Sequence, residues 1–267
     1  MTPWLTCALV IFAGMANLRA QEQSPYKTAW SKEGIILGAA GLTFLAGSAI
    51  QRNHPQLTQG EIDVLSVRSI NWFDRSAAYR YSENLPAVSD VFAGAAAAAT
   101  PLILLADPKI RNDLPAITFM YAETIVLSVS LPEFAKSAVR RMRPFVYNKN
   151  VPAGKKNTAD RDRSFFSGHT TLAFASTVFL ATVYGDYHPG SAVNRYLWGA
   201  ALITGCVTGM LRYESGMHYP SDILTGAAVG TSIGYLIPYF HRTDGIGIEL
   251  RPAFSGGRPV ISIQKRL

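Results

Sequence analysis

The sequence predicts an all-α protein: a bundle of about six membrane-crossing helices, followed by a short tail resembling a β-hairpin. Three observations lead to this fold class. Of 267 residues, 48% are hydrophobic and only 16% are charged, whereas about a quarter of a soluble domain is charged. The hydrophobic residues are concentrated in six segments separated by polar stretches. From residue 243 onward the pattern changes to short alternating runs.

Residues 1–20 have the features of a secretory leader. The apolar run Trp4–Ala13 is too short to cross a bilayer, and Leu18-Arg19-Ala20 forms an acceptable cleavage site. The region before the run lacks lysine and arginine, so an uncleaved anchor is the alternative. We therefore expect a signal peptide at 1–20, a helical domain at 21–242 and a tail at 243–267.

The six apolar segments are each shorter than the roughly 20 residues that a bilayer needs. Rows of small residues, such as Gly226, Gly230 and Gly234, would allow helices to approach closely in a membrane. The same rows suit a tight soluble bundle, which is the alternative fold. The segments are Gly34–Ile50, Val91–Ala106, Pro115–Leu131, Thr171–Tyr184, Leu197–Leu211 and Ile223–Phe240.

Two regions lie outside these segments. Gln51–Asp90 is polar and aromatic, and its Asn71-Trp72-Phe73-Asp74-Arg75 run predicts either an interfacial helix or an ordinary amphipathic surface helix. The tail predicts a hairpin around Ser255-Gly256-Gly257, since its side chains alternate on both sides of this turn. The alternating residues are Ile246, Ile248, Leu250, Val260, Ser262 and Gln264.

Charge and cysteine content narrow the possible partners. The net charge of +7 favours anionic partners such as lipid head groups or phosphates. Nucleic acid is disfavoured, because the basic residues flank apolar segments and form no stripe interleaved with aromatic residues. Cys7 and Cys206 are the two cysteines and neither has metal-ligand spacing, so the sequence predicts neither a disulfide framework nor a zinc site.

The third apolar segment ends in a cationic stretch. Lys136 and Arg143 are seven residues apart, so they share one helical face, and Pro144 ends the helix. Lys136 lies a full turn deeper than the arginines, where an unpaired ammonium group is costly and indicates a partner or a function. Arg140 and Arg141 are interpreted as ordinary charge next to the membrane.

The fourth segment begins with Ser167-Gly168-His169. Ser167 is a good helix N-cap, and the amides that follow it would lie at the positive end of the helix dipole. Such a terminus can bind an anion, and Gly168 would let a ligand approach the backbone. A capped helix with an exposed histidine would have the same sequence.

Between the last two segments, Arg212, His218 and Asp222 occur within eleven residues. Pro220 is favoured at the start of a helix, which places Asp222 in its first turn. There the carboxylate could hold one imidazole nitrogen and leave the other free to attack or to exchange protons. If the segments alternate in direction, all three motifs converge at one end of the bundle, where their charges suit a phosphoryl group.

These residues resemble the superfamily of type 2 phosphatidic acid phosphatases, which includes bacterial acid phosphatases and vanadium haloperoxidases. Its pattern is a lysine seven residues before Arg-Pro, then Pro-Ser-Gly-His, then Ser-Arg, five residues, His, three residues and Asp. The first motif is complete here. Phe166 replaces the proline of the second motif, and Leu211 replaces the serine of the third.

The resemblance implies a phosphatase without a metal or cofactor. His218 would attack phosphorus to form a phosphohistidine, Asp222 would orient it, and His169 would protonate the leaving oxygen and then activate water. The phosphate binders would be Lys136, Arg143, Ser167, Gly168 and Arg212. The implied substrate is a lipid phosphate, such as phosphatidate, phosphatidylglycerophosphate, undecaprenyl pyrophosphate or lipid A phosphate.

Three alternatives remain: a soluble secreted acid phosphatase, a vanadium haloperoxidase and a catalytically inactive membrane protein. The resemblance implies a bacterial membrane enzyme whose site faces the periplasm. A cleaved leader and the basic loop Arg140–Arg163 instead predict the cytoplasmic side.

Overall fold

A computed structural model describes residues 24–28, 30–51, 58–243, 248–255 and 258–265. The expected leader, residues 52–57 of the polar stretch, Ile246, and Gly256-Gly257 of the expected hairpin lie outside the described residues. The described chain is mostly helical. Its six helices of 20 or more residues are α1 (Trp30–Gln51), α2 (Leu85–Ala106), α3 (Leu114–Val139), α4 (Gly168–Tyr187), α5 (Ala192–Glu214) and α6 (Pro220–His241).

Each apolar segment of the sequence lies inside one of these helices. The helices extend beyond their segments at both ends, except that α2 ends with its segment at Ala106. Proline and cap residues explain the extensions. Pro86 and Pro115 stand at the starts of α2 and α3, and the side chains of Ser167 and Ser191 accept backbone hydrogen bonds at the starts of α4 and α5. Polar first turns thus add residues that an apolar pattern does not include.

Three stretches are long and apolar enough to cross a membrane by length and composition: Leu85–Ala106, Leu114–Tyr147 and Pro220–His241. A shorter apolar helix covers Glu33–Ala49. Shorter helices connect the long ones, at Gln59–Asp63, Pro108–Arg111, Pro144–Tyr147 and Ala153–Lys156, with 3₁₀ turns at Val67–Ser69 and Arg75–Tyr79.

Helix α4 occupies the centre and contacts α2, α3, α5 and α6, while α1 packs on α3. The main apolar core lies between these helices and includes Met120, Phe179, Val183 and Ile233.

The glycine row of α6 brings α6 and α4 close together. A Cβ atom at Gly226, Gly230 or Gly234 would lie 2.6, 2.4 or 2.4 Å from the carbonyl oxygen of Ser167, Thr171 or Ala175, respectively. Real Cβ atoms do not approach that closely, so these contacts require glycine. The row therefore sets the spacing between the helices that begin at Gly168 and Pro220.

Strands β1 (Ile248–Ser255) and β2 (Arg258–Lys265) pair antiparallel at the carboxyl end, with Ile248 opposite Lys265 and Ser255 opposite Arg258. At the other end of the described chain, Tyr26 bridges Arg242. The backbone N–H of Lys27 donates to the carbonyl of His241 at 2.8 Å, so segment 24–28 covers the end of α6.

Candidate active site

A pocket of about 440 Å³ lies where α3 and α5 end and where α2, α4 and α6 begin. Four lysine or arginine side chains line it: Lys136, Arg143, Arg163 and Arg212. Its other lining residues are Pro86, Asp90, Glu133, Asp160, His169 and Met217. The structure thus brings together four of the sequence-predicted residues, Lys136, Arg143, His169 and Arg212, from three different motifs.

Lys136 and Arg143 are placed by the end of α3. Arg140 adopts the left-handed conformation there (φ 53°), and its N–H donates to the carbonyl of Lys136, which closes the helix. Arg143 is buried, and its Nε donates to the Asp160 carbonyl at 2.7 Å while its Nη1 lies 2.9 Å from Met217 Sδ. The loop before α4 therefore fixes this guanidinium beside the pocket.

The start of α4 forms part of the layer behind the pocket. Ser167 is buried, and its hydroxyl caps the helix through Thr170 N (3.4 Å) and contacts Thr170 Oγ1 (2.8 Å). Its N–H donates to the Asp222 carbonyl at 3.1 Å, which joins the starts of α4 and α6. A Cβ at Gly168 would lie 3.5 Å from Lys136 Nζ, so Gly168 packs beside that cation.

His169 and Arg212 share Asp90, a residue of α2 that the sequence analysis did not select. His169 Nε2 lies 2.8 Å from Asp90 Oδ1, and Arg212 Nη1 lies 3.3 Å from the same oxygen. Arg212 Nη1 also donates to Ser89 Oγ at 3.0 Å. Asp90 belongs to none of the three sequence motifs. It lies at the polar end of an apolar helix far away in the chain, so no spacing between motif residues predicts it.

His218 is fully buried, on the short connection between α5 and α6. Gly216 makes this connection possible: its φ is +71°, and a Cβ there would lie 2.3 Å from the Arg80 carbonyl. The amides of Met217 and His218 both donate to the carbonyl of Arg212, at 3.2 and 3.3 Å. The tight turn thus holds the backbone of His218 against the end of α5.

The tautomer of His218 follows from its contacts. Nδ1 lies 2.7 Å from the Ser164 carbonyl oxygen, and a carbonyl can only accept, so Nδ1 carries the hydrogen. Nε2 then carries no hydrogen and has a free lone pair. This atom is buried and has no hydrogen-bond partner among the described residues. Burial, together with the positive charges of Arg143 and Arg212, lowers the pKa of His218 well below its usual value.

Asp222 is buried next to His218 but does not hold it directly. The nearest pair, His218 Nδ1 and Asp222 Oδ2, is 3.7 Å apart, which is too long for a hydrogen bond. The expected direct contact is therefore replaced by a bridge through Ser164. Its carbonyl accepts from His218, and its hydroxyl donates to Asp222.

The other carboxylate oxygen of Asp222, Oδ1, accepts a hydrogen bond from Arg141. From the sequence, Arg141 was interpreted as ordinary charge next to the membrane. Arg141 donates to Asp222 Oδ1 at 2.5 Å and to Asp74 Oδ2 at 2.7 Å, and its guanidinium lies over the Tyr219 ring at 3.9 Å. Asp74 also accepts from the Ser221 amide at 2.9 Å. Asp74 and Arg141 thus anchor the start of α6 from behind His218.

Arg163 is the fourth pocket cation and was also not predicted. It donates to Glu133 and Ser137 and lies 3.4 Å from Asp160 Oδ1. Its position four residues before Ser167 was a usable signal, because a cation so close to a predicted anion site should face the same anion.

Taken together, the site combines a concentration of fixed positive charge with an unpaired imidazole lone pair. Cations in a shielded pocket stabilise the negative oxygens of a phosphoryl group, and a neutral imidazole can attack the phosphorus.

Comparisons with known proteins match this region. The family model described as the PAP2 superfamily matches residues 117–246, which contain every site residue that the sequence predicted. Lipid phosphate phosphatase 1 of Arabidopsis thaliana is 25% identical over 167 residues, covering 52% of this chain and 51% of the relative. Lipid A 1-phosphatase of Porphyromonas gingivalis is 37% identical over 73 residues, covering 27% of this chain and 15% of the relative.

The chain therefore matches about half or less of the length of these relatives. A crystal structure of Aquifex aeolicus LpxE is 20% identical, with a TM-score of 0.37, and the likeness covers 61% of this chain and 90% of that one.

Proposed function

Residues 117–246 match the family model of the PAP2 superfamily, and from this match we propose that the protein is a phosphatase of membrane lipids. It hydrolyses phosphomonoesters or pyrophosphates through a phosphohistidine. The observation that carries the proposal is the buried Nε2 atom of His218, which lacks a partner among the described residues and lies behind a pocket lined by four cations.

In the first step, Nε2 of His218 attacks phosphorus and the bond from phosphorus to the leaving oxygen breaks. His169, which lines the pocket, gives that oxygen a proton. In the second step, His169 takes a proton from water, the water oxygen bonds to phosphorus, and the bond from phosphorus to Nε2 breaks. Inorganic phosphate leaves and His218 is restored.

Lys136, Arg143 and Arg212 neutralise the non-bridging oxygens in both steps, and the amides at the start of α4 add to the positive potential. Ser167 supports them through its cap and its contact with Asp222. Asp222 positions His218 through Ser164. The low pKa of His218 supports its role, because the imidazole then stays neutral and nucleophilic at physiological pH.

The outer surface favours a lipid substrate over the soluble alternative. Large apolar side chains are exposed along α1, α2, α5 and α6. Contact of these side chains with water would be unfavourable, whereas contact with lipid tails would be favourable. They include Leu42, Leu102, Leu202, Ile203 and Leu224. We propose that the six helices form one bundle, spanning 21–242, that crosses the membrane.

The pocket end carries Trp72, whose side chain is 82% exposed two residues before the buried Asp74. Exposed tryptophan is typical of the level of lipid head groups. This position supports a substrate whose phosphate enters the pocket while its acyl chains remain in the bilayer. We further propose that the leader is cleaved and that the pocket end faces the periplasm of a bacterial cell. With a cleaved leader, this orientation requires that one of the apolar segments does not cross the membrane.

The substrate class is tested by phosphate release from purified protein in mixed micelles. We expect kcat/KM at least about 100-fold higher for lipid phosphates than for a water-soluble aryl phosphate, since remote binding energy contributes to the transition state. The lipid panel contains phosphatidate, phosphatidylglycerophosphate, undecaprenyl pyrophosphate and lipid A phosphate. Equal values for soluble and lipid substrates would favour the secreted acid phosphatase, and bromide oxidation with added vanadate would favour the haloperoxidase.

Arg141→Ala tests the support behind the nucleophile. We expect kcat to fall about 10- to 100-fold with KM nearly unchanged, because a hydrogen bond to a charged group contributes about 1.5–3 kcal/mol. Arg141→Lys should recover only part of the rate, since an ammonium group cannot bridge two carboxylates as a guanidinium does.

The matched control for Arg141 is Arg195→Ala, which removes an exposed arginine from the opposite end of α5. Steady-state kinetics should separate the two variants. A rise in KM at constant kcat in Arg141→Ala would contradict positioning and indicate direct substrate binding instead.

A further inference from the structure

A second cluster of titratable side chains lies at the other end of α6 from the phosphate pocket. It consists of Glu33 on α1, Glu123 on α3 and His241 at the end of α6, all of them buried. His241 Nε2 lies 3.0 Å from Glu33 Oε2 and 3.5 Å from Glu123 Oε2. The proposed reaction uses none of these three residues.

The orientation of the imidazole points to a cation between these groups. His241 Nδ1 lies 2.7 Å from the Ile237 carbonyl oxygen, which can only accept, so Nδ1 carries a hydrogen. In a neutral ring the Nε2 lone pair then faces two carboxylate oxygens. Lone pairs on three such atoms repel each other unless a proton or a metal ion lies among them.

The distances fit a metal ion. Zinc binds histidine nitrogen and carboxylate oxygen at about 2.0–2.2 Å, so the ligand atoms of a tetrahedral site are about 3.3–3.6 Å apart. The two distances from Nε2, 3.0 and 3.5 Å, lie close to that value. All three ligand atoms lie within 4.8 Å of one another. A hydrogen bond from Nδ1 to a backbone carbonyl is also the usual support of a metal-binding histidine.

We propose that Glu33, Glu123 and His241 bind a divalent transition-metal ion of the zinc class. The ion links α1 to α3 and α6, three helices that are distant in the sequence. Segment 24–28 closes the site from outside through the hydrogen bond from Lys27 N to the His241 carbonyl. The sequence has no short-spaced signal for this site, because its three residues come from three different helices.

The test is the metal content of the full chain, expressed with added zinc and purified in detergent without chelator. We expect about one zinc ion per chain by mass spectrometry of the elements, falling at least tenfold in Glu123→Gln and in His241→Gln. His188→Gln is the matched control, because His188 pairs with a single carboxylate, Asp107, at 2.8 Å. Phosphatase activity serves as the check that each variant is folded.

A second measurement uses the wild-type chain alone, in case the variants do not fold. Chelator should lower the melting temperature and zinc should restore it, and Co²⁺ loading should give the visible spectrum of a cobalt ion bound by nitrogen and oxygen. Less than about 0.1 metal ion per chain after zinc exposure would overturn the proposal and assign a shared proton to the cluster. Equal zinc in wild type and His241→Gln would also overturn it.

Discussion

His218→Ala should reduce phosphate release by at least about three orders of magnitude, equivalent to about 4 kcal/mol of transition-state stabilisation. The substitution removes the atom that bonds to phosphorus, while the pocket cations remain to bind substrate. KM should therefore change little compared with kcat. The measurement is phosphate release in micelles, together with trapping of the phosphoenzyme by an alkaline denaturing quench, because a bond from phosphorus to an imidazole nitrogen is labile in acid. Wild type should give labelled protein and His218→Ala should give none.

His188→Ala is the control for this loss, since His188 lies at the opposite end of α4 and should leave the rate unchanged. Turnover by His218→Ala within tenfold of wild type would contradict the assigned nucleophile. A labelled phosphoenzyme in that variant would move the role to another residue, and His169 would then be the first one to test.

Gly230→Leu should lower the melting temperature by about 5–10 °C. Even the first added carbon would lie 2.4 Å from the Thr171 carbonyl and 3.0 Å from Phe174 Cβ, so α4 and α6 must separate. Overpacking of this kind costs about 1–3 kcal/mol or more, and in a chain of this size each kcal/mol shifts the melting temperature by about 2–4 °C. Thermal unfolding in detergent measures the change.

Gly199→Leu supplies the control, because a Cβ at Gly199 has nothing within 4 Å. That variant should keep its melting temperature or raise it, since glycine is a poor helix former. If both variants melt alike, the glycine row of α6 does not set the helix spacing.

The sequence predicted much of the helical layout, because long apolar segments with proline or serine at their starts leave few alternatives to helices. It also predicted that Lys136, Arg143, His169 and Arg212 share one place, since their motifs stand at alternating helix ends. Both results depend on local pattern and chain direction. The roles of these residues, and of His218, Asp222, Ser167 and Gly168, stay predictions until variants are measured.

The sequence could not provide the partners that come from elsewhere in the chain. Asp90 and Asp74 reach the site from the region before α3, and no spacing rule connects them to Arg212 or Arg141. The Ser164 bridge depends on a backbone carbonyl, which has no sequence signature. Glu33, Glu123 and His241 meet only because three helices pack together.

The enclosure of His218 sets an order of events for the proposed reaction. Its Nε2 atom has no exposed surface, so the proposed reaction requires the phosphoryl group to reach this atom, and water to reach the bound phosphorus, through the pocket. A water molecule cannot reach that phosphorus while the dephosphorylated lipid still occupies the space in front of it. The two products would therefore depart in a fixed sequence, the lipid alcohol before inorganic phosphate. Free phosphate should then compete with the lipid for the empty enzyme.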